Sequence, residues 1–291
     1  MFTKIIVGID GGAGGEDAVD LAEALADSTS QVVLVNAYPY ERLPSRASLG
    51  GFDRLLHDDS VELLDRVARS RSHPVETRAV ADVSPGHALH RAAEEQEADL
   101  IVIGSCHRGP VARVMLGDVS RAVLHGAPCP VIVAPRGWKD GPKPITTIGV
   151  GYTNTPEAHA ALDLAVSLAR ATDATLRVTS AVSVPAAFAP NMAYTYDWGA
   201  VQEERRRLAK EDLDEVTAGI DVPCIVEVCD GMAGEDLATI SKHVSLLVMG
   251  SRGWGAARRV VLGSTSDYVA HHAHCPVLVV PAPAPVADPV G

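Results

Sequence analysis

An internal duplication running through most of the 291 residues constrains this chain more than any other feature. Three blocks recur in the same order, the first at a spacing of 143 residues and the others at 146. They are AVDLAEAL at 18–25 and ALDLAVSL at 161–168, LIVIGS at 100–105 and LLVMGS at 246–251, and CPVIVAP at 129–135 and CPVLVVP at 275–281. Self-similarity that keeps its order and drifts by only three residues predicts two copies of one domain.

The repeat predicts where each domain begins and ends. We expect a first domain over residues 1–136, a second over 145–282, a linker over 137–144 and a flexible tail over 283–291. The linker region is rich in glycine and proline and has no hydrophobic period, which is typical of a connection between domains. Because the linker is short, we expect the two copies to lie against each other.

Each copy alternates short apolar runs with segments of helical periodicity. The run at 100–104 is almost entirely apolar, as in a strand that is buried on both faces. A helix is expected over 60–69, where apolar and charged residues alternate at helical spacing. Strands alternating with helices predict an α/β fold with a doubly wound, parallel, five-stranded sheet in each domain. Such sheets bind ligands past the carboxyl ends of their strands, where the strand order reverses.

Composition excludes several classes of function. The formal net charge is -12 at pH 7, which argues against a non-specific nucleic-acid binder or a binder of anionic membranes. No apolar run approaches the roughly 18 residues of a membrane span, and the first residues do not form a signal-peptide pattern. The five cysteines include no metal-ligand pair of the CxxC type. We therefore expect a cytoplasmic protein with reduced thiols and no nucleic-acid or membrane partner.

The turn after the fourth strand of the second copy carries the most specific motif. Gly250, Gly253 and Gly263 are followed by Ser264 and Thr265, in the pattern G-x2-G-x9-G-[ST]. Glycines allow backbone N–H groups to approach a phosphate closely, and the start of the next helix favours anions. The alternative is that the glycines serve tight turns and that Ser264 is an ordinary helix N-cap.

This motif, set between two apolar strands of a duplicated α/β domain, resembles the universal stress protein family over both copies. The resemblance implies a Rossmann-like domain of the adenine nucleotide alpha hydrolase type. It also implies ATP as the ligand, alone or with Mg²⁺, with phosphates on Gly253, Gly263 and Ser264. A further implication is that the last strands, 131–134 and 277–280, pair across domains or subunits, and we expect a homodimer.

The first copy departs from the motif. Gly104 and Gly117 are kept, but His107 replaces the middle glycine and Asp118 replaces the serine. Asp118 is expected to remain a good N-cap. Its carboxylate would cost about 4 kcal/mol against a phosphate charge at about 4 Å and an effective dielectric constant of about 20. The groups considered for offsetting this repulsion are a metal ion, Arg108 and Arg113.

The turn after the first strand supplies the other candidate residues. The resemblance implies that Asp10 contacts the ribose or adenine, whereas the alternative is that its side chain closes a local turn. Thr153 takes this position in the second copy, where it can form hydrogen bonds but has no charge. Because the phosphate side carries more of the motif, the second copy is predicted to be the stronger ATP site.

Neither copy shows a nucleophile, base and orienting group at a recognisable spacing. We therefore expect an ATP-binding stress-response or signalling module rather than an enzyme, in which nucleotide occupancy tunes conformation or partner binding. The protein partner is not identified by the sequence. Two alternatives remain open: a dimeric scaffold that acts without nucleotide, and a slow ATP hydrolase.

Overall fold

The computed structural model describes residues 1–39, 52–105, 113–141, 144–182, 197–251, 260 and 262–281. The tail predicted over 283–291 lies outside these residues. Within them, ten strands form one continuous sheet. The strands are β1 Lys4–Gly8, β2 Gln31–Tyr38, β3 Val75–Ala81, β4 Leu100–Gly104, β5 Val131–Ala134, β6 Thr147–Gly151, β7 Thr175–Val182, β8 Cys224–Asp230, β9 Leu246–Gly250 and β10 Val277–Val280.

Helices cover both faces of the sheet and make a three-layer α/β/α arrangement. No described helix is both long and apolar enough to cross a membrane. The helices are α1 Ala13–Leu25, α2 Phe52–Ala68, α3 Pro85–Glu95, α4 Asp118–Leu124, α5 Pro156–Thr172, α6 Trp198–Thr217, α7 Ala233–Ile240 and α8 Ser264–His272.

The strand order is β3-β2-β1-β4-β5-β10-β9-β6-β7-β8. Neighbouring strands within each half are parallel, which confirms the two predicted five-stranded sheets. The halves join where β5 and β10 pair antiparallel, with Ile132 opposite Leu278. The expected pairing of the last strands is therefore confirmed, and it occurs within one chain. It covers two sheet edges that would otherwise be open.

The core also continues across the domain boundary. On one face, α1, α2, α5 and α6 pack on the sheet, and Ile132 and Leu278 belong to the same apolar cluster. On the other face, α3, α4, α7 and α8 do the same around Val133 and Val277. Every residue of β5 and β10 is buried, so the two domains share one interior instead of meeting at a polar surface.

Helix α2 begins at Phe52, eight residues before the predicted start. Its first turns carry apolar side chains that stay in solvent, since Phe52 and Leu55 are each 55% exposed. The predicted start relied on a buried periodic face, which begins only near Ser60 and Leu64. The hydrophobic pattern therefore detected the packed part of the helix and missed its exposed beginning.

The linker is docked on the first domain. Its middle forms a short 3-10 turn over Trp138–Asp140, and Trp138 is buried. Asp17, on α1, is fully buried and accepts hydrogen bonds from the N–H groups of Gly137 at 2.8 Å and Lys139 at 2.9 Å. Burial raises the pKa of the Asp17 carboxyl, and these two N–H groups oppose the rise. Composition predicted a connection here but did not reveal this buried carboxylate.

Candidate functional site

The two domains carry crevices at equivalent places in the sheet. In each half the strand order reverses between the first and fourth strands, β1 and β4 or β6 and β9. One crevice opens past the carboxyl ends of β1 and β4 and reaches the start of α4. Its counterpart opens past β6 and β9 and reaches the start of α8. Both occupy the position where doubly wound sheets bind their ligands.

The first-domain crevice is the larger of the two, at about 440 Å³. Ligand pockets in proteins typically measure about 300–1,000 Å³, so this crevice is wide enough for a small organic molecule. Apolar side chains such as Val35 and Leu89 line its interior, and Asp10 and Asp118 line it as charged groups. Gly104 and Gly117, both predicted site residues, are also part of the lining.

Asp10 is exposed and lines the crevice at the end of β1. Its Oδ1 accepts a hydrogen bond from the N–H of Gly12 at 2.9 Å, and Gly11 between them has a φ of 80°. Asp10 therefore closes a local turn, as the structural alternative proposed. The same turn places its carboxyl group beside the crevice, so the two roles are compatible.

Asn36 holds the rim of this crevice together. Its Nδ2 donates to the carbonyl of Ile9 at 2.6 Å, and its Oδ1 accepts from the hydroxyl of Ser60 at 2.7 Å. The side chain thus ties the end of β2 to the end of β1 and to α2. The glycine motif does not include this residue. An isolated Asn in the apolar strand QVVLVNAY was the signal for a polar side-chain role.

Gly104 and Gly250 have a packing reason to be glycine. A Cβ added to Gly104 would lie 2.0 Å from the carbonyl oxygen of Gly14, at the start of α1. A Cβ added to Gly250 would lie 2.8 Å from the carbonyl carbon of Glu157, at the start of α5. Both glycines line their crevices, but close packing of strand against helix is enough to require them.

The helix starts differ from the predicted arrangement in one respect. Gly117 and Gly263 are the N-caps of α4 and α8, and neither cap supplies a side-chain hydrogen bond. Asp118 and Ser264 are the first helical residues, so their interpretation as N-caps is wrong. The first N–H groups of a helix lack partners within it. Since the N-cap residue is a glycine in both helices, its side chain does not satisfy them.

Arg113 and Arg108 were the two side chains considered for offsetting the charge of Asp118. Arg113 turns to the second domain, where its Nε donates to Nε2 of His274 at 3.1 Å. Arg108 lies outside the described residues, as does His107. Among the described residues that line the first crevice there is no lysine, arginine or histidine. The charged groups seen there are therefore Asp10 and Asp118.

The second-domain crevice is narrower, at about 140 Å³. Tyr152 follows β6 where Ile9 follows β1, and Glu157 occupies the position of Gly14. Tyr152 is buried, and its hydroxyl lies 3.1 Å from Nε2 of His159. Burial raises the pKa of the Tyr152 hydroxyl, with smaller contributions from Asp212 and Glu215. Both side chains are larger than their counterparts Ile9 and Gly14, which line the wider crevice of the first domain.

The second crevice also contains two buried hydroxyl groups with no hydrogen-bond partner in the described structure, those of Thr179 and Ser251. In the first domain the equivalents are apolar Val35 and Ser105, whose hydroxyl donates to the carbonyl of Ala134 at 2.6 Å. A buried hydroxyl without a partner costs about 1–3 kcal/mol. Water or a polar ligand would supply the missing hydrogen bonds, and the sequence motif did not identify either residue.

The remaining predicted residues of the second site are only partly assembled. Gly250, Thr153 and Thr265 line the crevice, and Thr153 is exposed. Gly263 and Ser264 lie at the start of α8, next to this lining but not in it. Gly253 lies outside the described residues. The second copy was predicted to be the stronger site, whereas the larger cavity lies in the first.

Other reactive groups give no sign of a second kind of site. No cluster of three or more His, Cys, Asp or Glu side chains in the described ranges is arranged to hold a metal ion. Cys129 and Cys275 are buried, and burial raises the pKa of the Cys129 thiol to about 12. His271 and His272 lie in the last turn of α8, near the negative end of the helix dipole.

Comparison with known proteins agrees with the motif and the topology. The model described as the universal stress protein family matches residues 1–135 and 144–281. A universal stress protein of Mycobacterium tuberculosis is 28% identical over 293 residues, which cover 95% of this chain and 99% of that protein. A solved universal stress protein from Archaeoglobus fulgidus has a TM-score of 0.69 at 18% identity, covering 97% of this chain and 99% of that one, which shows a shared fold.

Proposed function

This chain belongs to the universal stress protein family, and on that premise we propose that it binds an adenine nucleotide, with ATP as the reference ligand. Occupancy of the crevices would tune the conformation of the chain or its binding to a protein partner. The observation that carries this proposal is the crevice of about 440 Å³ at the switch point of the first sheet, with Asp10 beside it.

The chemistry of the first crevice suits a nucleoside. Its apolar walls, including Leu89 and Ile103, can pack against a base. A carboxylate such as Asp10 accepts hydrogen bonds from ribose hydroxyls or from an amino group. The second crevice better suits a phosphate, because Thr265 lies at the start of α8, where N–H groups and the helix dipole favour anions. The two buried hydroxyls of Thr179 and Ser251 would gain partners from a polar ligand there.

Two contacts across the domain boundary support an effect of ligand on conformation. The segment after β4 reaches the second domain, where the N–H of Val114 donates to the carbonyl of Ala273 at 2.8 Å. The segment after β9 reaches the first, where the N–H of Val260 donates to the carbonyl of Ala127 at 3.1 Å. Both valines are fully buried. These segments carry the glycine motif, so a ligand that moves one of them would also affect the other domain.

Binding without efficient chemistry fits the described lining. The first crevice presents Asp10 and Asp118 but no described lysine, histidine or cysteine that would serve as a base or nucleophile. Slow hydrolysis of ATP remains the alternative for an enzyme. It predicts phosphate release above the background rate, and that release should disappear when Ser264→Asp is introduced.

A scaffold that acts without nucleotide is the second candidate, and the glycine packing favours it. Gly104 and Gly250 are needed for strand–helix contact whether or not a ligand binds. The homodimer also stays a prediction. Because β5 and β10 already pair within the chain, a homodimer would have to use a different surface.

The deciding experiment is to incubate the purified chain with ATP and Mg²⁺, remove free ligand, denature the protein and measure released nucleotide by mass spectrometry. We expect at least one nucleotide per chain. Release should fall with Gly263→Asp or Ser264→Asp if the second crevice contributes, and Gly219→Asp, on an exposed turn away from both crevices, is the matched control. If no nucleotide is retained, and calorimetry detects no binding, the scaffold is the correct reading.

A further inference from the structure

We infer that Asp118 makes the first-domain crevice selective for adenine ligands of low negative charge, so that it takes the nucleoside in preference to the triphosphate. This inference rests on the proposed function, because it concerns which adenine ligand enters the same crevice. It goes beyond the prediction that the second copy is the stronger ATP site, because it assigns the first crevice a different adenine ligand.

The position of Asp118 is the first part of the argument. It is the first residue of α4, it is exposed, and it lines the crevice whose other charged residue among the described ones is Asp10. Gly117 is the N-cap, so the Asp118 carboxylate is not used as a side-chain cap of the helix. The equivalent residue in the second domain is Ser264, which has a neutral side chain.

The second part is the orientation of the nearby arginines. Arg113, five residues before Asp118, donates to His274 in the second domain at 3.1 Å. Arg121, three residues after it, lies 3.2 Å from Nε2 of His271 and 3.3 Å from the carboxylate of Asp267. Both described arginines that flank Asp118 along the chain are therefore engaged across the domain boundary and do not line the crevice.

The third part is the charge balance of each ligand. A triphosphate brings several negative charges toward a crevice whose described charged groups are two carboxylates. Repulsion between like charges a few ångströms apart lowers affinity by about tenfold or more. A nucleoside brings no charge, and its hydroxyl groups can donate hydrogen bonds to carboxylates. The crevice is therefore complementary to the uncharged part of a nucleotide.

The test requires that one crevice be closed at a time. Ala37 and Ala181 line the first and second crevices at equivalent strand ends, so Ala181→Phe fills the second crevice and Ala37→Phe is the matched control that fills the first. Calorimetry on the full chain, with EDTA present, then compares adenosine, AMP and ATP. Asp118→Ser introduces the residue of the second domain, and Asp118→Asn removes only the charge.

In the Ala181→Phe chain we expect adenosine to bind at least tenfold more tightly than ATP, with AMP between them. Asp118→Ser and Asp118→Asn should each raise ATP affinity about tenfold and change adenosine affinity by less than about threefold. Higher salt should narrow the difference in the chain that retains Asp118, because screening weakens the repulsion. The Ala37→Phe chain should lose the tight, first-domain adenosine site and keep only the weaker binding of the second crevice.

Two results would overturn the inference alone: ATP binding as tightly as adenosine in the Ala181→Phe chain, or an unchanged ratio of affinities after both Asp118 substitutions. Absence of binding by all three ligands to every chain, the unaltered one included, would overturn the proposed function itself. Asp118 is exposed, so both substitutions should leave the thermal midpoint within a few degrees, and circular dichroism will verify that the variants are folded.

Discussion

The two domains share one backbone plan but offer different crevices. Past β1 and β4 the cavity measures about 440 Å³, and past β6 and β9 it measures about 140 Å³. The strand order, the glycine N-caps and the cross-domain contacts of Val114 and Val260 are equivalent in the two halves. Duplication has thus kept the packing, while a few side chains at the strand ends have changed what each crevice can hold.

The exchanged residues line the two crevices at equivalent positions. Gly14 and Ile9 line the first crevice, whereas the larger Glu157 and Tyr152 line the second at the equivalent positions. The second domain also buries two hydroxyls, those of Thr179 and Ser251, that have no hydrogen-bond partner among the described residues, and the first presents a carboxylate at the start of α4. Cavity size and charge have therefore diverged independently of the fold, and each difference can be tested by exchanging residues between the halves.

The largest expected effect concerns the packing that the halves share. Gly104→Ala should destabilise the chain by about 3 kcal/mol, because its Cβ would overlap the backbone of Gly14, and Gly250→Ala should cost about 1–2 kcal/mol, because its closest approach is longer. Urea denaturation followed by circular dichroism measures both. Gly219→Ala, with no atom within 4 Å of the added Cβ, should change stability by less than about 0.5 kcal/mol. Equal effects at 104 and 250 would contradict the packing difference.

The two buried valines whose main chains form the cross-domain hydrogen bonds come next. Val114→Ala and Val260→Ala should each cost about 2 kcal/mol through lost burial and cavity formation, since both side chains are fully buried. The midpoint temperature of thermal unfolding should fall by similar amounts in the two variants. Val119→Ala is the matched control in the same part of the chain, because Val119 is 50% exposed. A small effect at only one of the two buried valines would show that their side chains are not packed equivalently in the two halves.

The cavity difference itself can be reduced. Glu157→Gly, which introduces the residue found at the equivalent position 14, should widen the second crevice and raise its affinity for adenosine about tenfold, or about 1.4 kcal/mol. Calorimetry in an Ala37→Phe chain isolates this crevice. If affinity does not change, Tyr152 and not Glu157 sets the width, and Tyr152→Ile should then produce the increase.

The smallest effect concerns a group that the second domain lacks. Burial raises the pKa of Asp17, so between its ordinary value near 4 and its raised value the folded chain binds more protons than the unfolded chain. The contribution of Asp17 to stability therefore falls as pH rises through that window, by at most about 1.4 kcal/mol per pH unit. Denaturation midpoints should be measured across this pH window for the unaltered chain and for Asp17→Asn. The fall in stability with rising pH that is due to Asp17 should be absent in Asp17→Asn. Identical pH profiles of stability for the two chains would show that protonation of the Asp17 carboxyl is not linked to folding. The equivalent residue of the second domain, Ala160, has no titratable group.

Much of the fold was predictable because it follows from pattern. Repeated blocks identified two domains, and the apolar run at 100–104 became β4 with the same bounds. The start of α2 at Phe52 was missed because the apolar side chains of its first turns are exposed, so no buried face repeats there at helical spacing. Within the candidate site, Asp10 and Gly104 could be located from the motif, but Asn36 could not, since its role depends on carbonyl and hydroxyl groups distant in sequence.

The sequence by itself determined the duplication, the α/β class, the family resemblance and the difference between Asp118 and Ser264, because these depend on residue identity and order. Only the tertiary structure decided which crevice is open, that Arg113 faces His274 in the other domain, and that β5 pairs with β10 inside one chain. The physical reason is that cavity volume and charge pairing depend on which side chains are in contact. Close packing of the fold brings together residues that are far apart along the chain.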